Sequence, residues 1–199
     1  MIFSYPVTFK TQHALCEFTR QYMAQYNTHF IYQLTVPVPI AVRQLVDAEL
    51  AEYGLSKSIQ FLAFKRCGYF GADSKLINSS SVHVDWNNQS NRITNASIIF
   101  PVDGCQDTYM YWVNGEHTTE TRFNENKNGR PIPNKVVRWT SPGHIQERAY
   151  ISDTPTVVRT DIPHSATSRP DGTYRTILSL RLRDNESFDY IVDKIKGNS

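Results

Sequence analysis

From Ser58 onward the apolar residues of this chain come in short β-branched or aromatic runs, each closed by turn residues, and that punctuation rules out long helices. The runs span residues 59–65, 81–85, 96–102, 108–113, 117–123, 135–139, 146–151, 156–159, 173–183 and 188–192, and each reads as a strand. The N-terminal part differs. Residues 11–26 place Ala14, Phe18, Tyr22 and Tyr26 at helical spacing, and 30–38 alternate and end at Pro37 and Pro39. Residues 41–53 align Val42, Leu45, Val46 and Leu50 on one side of a helix that Gly54 stops. At least eight strands behind a helical segment predict a mainly β fold, a double-stranded β-helix (a cupin-like jelly roll) with N-terminal flanking helices. The 199 residues suit a single domain, with 1–56 as the helical or mixed flank and 57–199 as the β core. The polar, Pro- and Gly-marked stretch 124–134 reads as a surface loop that could cover a site.

Composition narrows the class. Formal net charge is +2, from 21 basic and 19 acidic side chains interspersed along the chain, so no basic stripe calls for duplex nucleic acid. Cys16, Cys67 and Cys105 are odd in number and never form a CxxC pair, which argues against a disulfide framework and a structural zinc site. No apolar run approaches membrane-spanning length, and residues 1–9 lack the pattern of a secretory signal. The expectation is a soluble, cytoplasmic protein with no membrane partner.

The residues that carry chemistry are His83-Val84-Asp85 and, far along the chain, His164. On a strand, His83 and Asp85 share a face because side chains alternate. Delivery of His164 by a neighbouring strand would complete two imidazoles and one carboxylate, the facial set that holds non-haem iron(II) and leaves other positions open. Pro163-His164 follows the β-branched run 156–159, and Arg175 opens another strand eleven residues after His164, beyond the turn Arg169-Pro170-Asp171-Gly172.

This order, His-x-Asp, a distal His, then a basic residue about ten positions on, resembles the Fe(II)/2-oxoglutarate-dependent dioxygenases, in particular the prolyl hydroxylase and phytanoyl-CoA hydroxylase branches. The resemblance covers residues 61–183. It implies catalytic metal ligands His83, Asp85 and His164, with Fe(II) as cofactor and 2-oxoglutarate as cosubstrate. Arg175 would grip the far carboxylate of the oxoacid, where an arginine fork forms two charge-assisted bonds. It further implies an oxygenase, a hydroxylase of a small molecule or peptide side chain that takes dioxygen and converts 2-oxoglutarate to succinate.

The chain departs from the family at one point. Where many members have Arg-x-Ser, it has Arg175-Thr176-Ile177; Ser179 shares the strand face of Arg175 and could substitute at another depth. Arg181 shares that face too, and with Arg183 it reads as an outer strand edge or a solvated face. Tyr109 and Tyr111 are candidates to line the barrel and bond the cosubstrate, Lys65 to face the site, and Trp86 to wall the substrate pocket. Each of these serves equally as packing. His13, His117 and His144 read as exposed. Two other functions fit the pattern: a non-catalytic jelly-roll binding or structural domain, and a cupin-type metal enzyme that does not use 2-oxoglutarate.

Overall fold

The computed structural model describes residues 2–24, 32–36, 39–55, 59–67, 82–87, 92–125, 131–141, 143–167, 175–182 and 186–197. In chain order the elements are β1 (Ser4–Pro6), α1 (Gln12–Ala24), β2 (Tyr32–Val36), α2 (Ile40–Glu52), β3 (Ile59–Cys67), β4 (His83–Val84), β5 (Trp86–Asn87), β6 (Arg92–Ile93) and β7 (Ala96–Asp103). They continue with β8 (Tyr109–Asn114), β9 (His117–Glu125), β10 (Pro131–Trp139), β11 (His144–Tyr150), β12 (Thr156–Arg159), β13 (His164–Ala166), β14 (Arg175–Leu182) and α3 (Phe188–Lys196). The fold is mainly β, as the spacing of turns predicts.

Two six-stranded sheets form, one ordered β1-β12-β7-β14-β3-β2 and the other β11-β8-β13-β4-β10-β9, with β5 and β6 as a separate pair. Their pairings are antiparallel. Ile99, Val158 and Ile177 of the first sheet pack with Met110 and Trp112 of the second, along with Phe3, Cys105 and Ile151. That apolar cluster lies between the sheets. The opposite face of the first sheet, built from Ala96, Ile98, Phe100, Val102, Val157, Leu178, Leu180 and Leu182, packs against residues of all three helices. β7 and β14 are therefore buried on both faces, which explains why 96–102 is a nearly unbroken apolar run rather than an alternating one.

Specific polar ties fasten the helices. The buried Glu49 carboxylate of α2 accepts from the backbone N–H groups of Lys10 and Thr11, the latter at 2.9 Å, and from the Thr11 hydroxyl. These donors precede the first turn of α1, where unpaired N–H groups and the positive end of the helix dipole both favour a carboxylate. Among the described residues no helix is long and apolar enough to cross a membrane.

Two elements depart from the sequence reading. Residues 188–192 form the start of a helix rather than a strand. Phe188, Tyr190 and Val192 mimic alternation, but the buried set is Phe188, Ile191, Val192 and Ile195, a helical stripe that only the full length of α3 reveals. Ser187 caps it, accepting from the Tyr190 N–H at 3.1 Å, with Asp189 in the first turn and Lys194 and Lys196 in the last. The stretch 124–134 likewise contributes strand at both ends, since β9 runs to Glu125 and β10 starts at Pro131. Proline lacks the N–H that a central strand needs. Here β4 reaches only Lys135 and Val136, so the flank of β10 beside Pro131 and Pro133 is an edge among the described residues.

Glu49→Ala should lower unfolding free energy by about 2–3 kcal/mol, because it strips the acceptor from several donors at once. Urea denaturation measures it; a loss below about 0.5 kcal/mol would show that the carboxylate does not hold α1 to α2.

Candidate metal centre

His83 and His164 are brought together by strand pairing. β13 lies between β8 and β4, and His164 is the register partner of Trp112 on one side and His83 on the other. Directly paired residues project to the same face of a sheet. Trp112 projects into the cluster between the sheets, so both imidazoles do as well. Their ring centroids are 4.7 Å apart.

Asp85 follows β4, two residues past His83 and on its side of the backbone. Its N–H donates to the Thr160 carbonyl and its carbonyl accepts from the Thr94 N–H, each at 3.0 Å. Thr160 in turn donates its hydroxyl to the Thr94 carbonyl at 2.7 Å. This lattice fixes the backbone of the carboxylate from two strand ends. Asp85 Oδ1 lies 3.5 Å from His83 Nε2 and 4.0 Å from His164 Nε2.

The donor set fits a divalent ion. One donor atom from each of His83, Asp85 and His164 lies within 4.8 Å of the other two. An ion about 2.1 Å from each of two donors spans separations up to about 4.2 Å, so both Asp85–His distances are already in range. The tautomer is right too. His164 Nδ1 sits 2.8 Å from the Ile162 carbonyl, which can only accept, so Nδ1 carries the proton and Nε2 presents its lone pair to the centre. Two imidazoles with one carboxylate and no thiolate suit iron as well as zinc.

Arg181 overturns its sequence reading. It is 7% exposed rather than on a solvated face, and its Nη2 lies 3.2 Å from Asp85 Oδ1, itself on a side chain 3% exposed. Period-two alternation along β14 explains this: Leu178, Leu180 and Leu182 face the helices while Arg175, Ile177, Ser179 and Arg181 face the second sheet. The same alternation was readable in the sequence, but nothing there showed that the shared face is the buried one.

Arg175 is 2% exposed, with Nη1 3.5 Å from the Thr167 carbonyl and Nε lacking a hydrogen-bond partner among the described residues. It neighbours Cys105. Burial pushes that thiol up, and the guanidinium charge partly offsets the effect. Ser179 is fully buried, and its hydroxyl also lacks a partner among the described residues. It stands four residues from Arg175, about 13 Å along a strand, and only two from Arg181, which places it toward the Asp85 end of β14.

The structure does not bring Tyr109 to this face. Its neighbours Met110 and Trp112 occupy the inter-sheet cluster, so Tyr109 and Tyr111 stand on the other side of β8, where Tyr109 contacts Tyr111, Tyr150 and Arg148. His117 bonds the Gly115 carbonyl at 2.9 Å and packs on Trp139; like His13 and His144 it is exposed. Arg183, and the side chains of Lys65 and Trp86, lie outside the described residues. Sequence reasoning missed Ser97, buried on β7 as the register partner of Arg181, with a hydroxyl that lacks a partner among the described residues. A buried hydroxyl left unsatisfied costs about 1–3 kcal/mol, which makes Ser97 and Ser179 notable beside Ile99, Val158 and Ile177. Comparison of the chain with protein-family models and with curated proteins finds no match.

Removing one partner of a buried ion pair leaves the other charge uncompensated, at a cost of about 3–5 kcal/mol. Arg181→Met should therefore destabilise the metal-free protein by about 3 kcal/mol, and Mn(II) should raise the melting temperature of the variant more than that of wild type. Equal metal-induced shifts would contradict a shared role of Arg181 and metal in neutralising Asp85.

Proposed function

We propose that this protein is a non-haem Fe(II) and 2-oxoglutarate-dependent oxygenase, a hydroxylase of a small molecule or a peptide side chain, built on a double-stranded β-helix. One observation carries the reading. His83, Asp85 and His164 converge between two facing sheets, and a buried arginine with an uncommitted donor, Arg175, lies on the sheet opposite them. The order of these residues along the chain and the pair of facing antiparallel sheets support the same fold and family.

His83 Nε2, Asp85 and His164 Nε2 would hold the iron, with the Ile162 carbonyl keeping His164 in the ligating tautomer. When bound, iron and 2-oxoglutarate supply dioxygen activation, coupling conversion of the oxoacid to succinate and carbon dioxide to hydroxylation of the substrate. Arg175 meets the distal carboxylate. Thr167, whose carbonyl it approaches, stands three residues beyond His164, about 10 Å along the chain, a span that a five-carbon diacid and an arginine side chain bridge together. Burying that carboxylate is costly without a partner, and the guanidinium offsets the loss of water. Ile99, Ile177, Met110 and Trp112 exclude water from the same space.

Anaerobic protein mixed with Fe(II) and 2-oxoglutarate should develop the weak visible charge-transfer band of the chelate. His164→Ala should abolish it, and Arg175→Ala should weaken 2-oxoglutarate binding by about 100-fold, the worth of a bidentate charged pair. Absence of the band in wild type would reject the oxoacid reading; iron binding without it would favour a metal enzyme that needs no cosubstrate.

A further inference from the structure

We propose that Ser97 and Ser179 form a two-hydroxyl subsite that receives the carboxylate at the metal-facing end of the oxoacid, as Arg175 receives the one at the far end. The inference rests on the function proposed above and assigns a role to a residue, Ser97, that no part of the motif includes.

Four features converge. Ser179 pairs in register with Ile99, and Arg181 with Ser97, so the two serines are diagonal neighbours on adjacent strands β14 and β7. Both share the face of Ile99, Ile177 and Val158, which is the face turned toward the second sheet. Arg181, on that same face beside both serines, reaches across to Asp85, so the pair stands at the metal end of β14 rather than at the Arg175 end. Finally, Ser97 is 1% exposed and Ser179 is fully buried, yet neither hydroxyl has a hydrogen-bond partner among the described residues. Among the described residues nothing accepts from them, and both face the space between the sheets. Alanine would pack there without that demand, and two donors side by side next to a guanidinium suit an anionic group with several acceptor oxygens.

Calorimetry on the Mn(II)-loaded protein with two probes, 2-oxoglutarate and oxalate, separates the ends of the site. Oxalate carries the metal-facing carboxylate but lacks the distal one. Ser97→Ala and Ser179→Ala should each weaken both probes about tenfold, whereas Arg175→Ala should weaken 2-oxoglutarate and leave oxalate unchanged. Ser97→Cys, which keeps the shape of the side chain at a slightly larger volume and replaces the hydroxyl with a feeble donor, should behave as Ser97→Ala. Without oxoacid, neither alanine variant should melt below wild type, since each removes a buried hydroxyl that has no partner among the described residues. Wild-type affinities for both probes in the serine variants would overturn this subsite while leaving the role of Arg175 intact. Wild-type protein that binds oxalate but not 2-oxoglutarate would reject the proposed cosubstrate, and the serine subsite would stand if Ser97→Ala weakens oxalate. Binding of neither probe by wild type would overturn both.

Discussion

The ion pair between Asp85 and Arg181, sealed between two β-sheets, is the constraint on which the site depends. A carboxylate out of water is costly unless its charge is matched and its oxygens are satisfied. Here a single oxygen faces one guanidinium and two imidazoles, contributed by the two sheets. The pair thus couples the register of β14 to the position of the candidate metal ligands. If β14 slipped by one residue, Arg181 would face the helices and a leucine would face Asp85.

That register is defended by burial on both faces. Leu178, Leu180 and Leu182 of β14 are anchored among the helices, so turning the strand over would drive arginines into an apolar layer. On the far side of the first sheet α3 adds a further tie. Arg159 bonds Asp189 of α3 at 2.6 Å and lies over the Phe188 ring, while its carbonyl accepts from the Trp112 indole at 2.8 Å. Thr160, the next residue, holds the Asp85 N–H. α3 is therefore connected through two adjacent residues, Arg159 and Thr160, to the aspartate of the candidate site.

The residues that converge were legible because their chemistry is local: a His-x-Asp tripeptide and a Pro-His step with an arginine beyond it. The helix at 41–53 was legible from the spacing of Val42, Val46 and Leu50 and the stop at Gly54, although Leu45, placed on the same side by that spacing, is exposed. The strands at 96–102 and 156–159 were legible as short apolar, β-branched runs bounded by turn residues. What stayed hidden was relational. Arg181 and Arg175 look alike in the sequence, and only the pairing of β14 with β7 and the facing of the two sheets separates the one beside Asp85 from the one beside Thr167. Ser97 sits in a run so apolar that its hydroxyl carries no signal. α3 was misread because its first five residues satisfy two periods at once, and β13 is too short to announce itself, being defined by its neighbours alone.

Placing the ion itself tests the account most directly. In a crystal structure of the protein grown with Mn(II), anomalous scattering should locate one ion bound by His83 Nε2, an Asp85 oxygen and His164 Nε2, with Arg181 still in contact with the Asp85 carboxylate. An ion elsewhere, or His164 turned so that Nδ1 rather than Nε2 faces the centre, would contradict it.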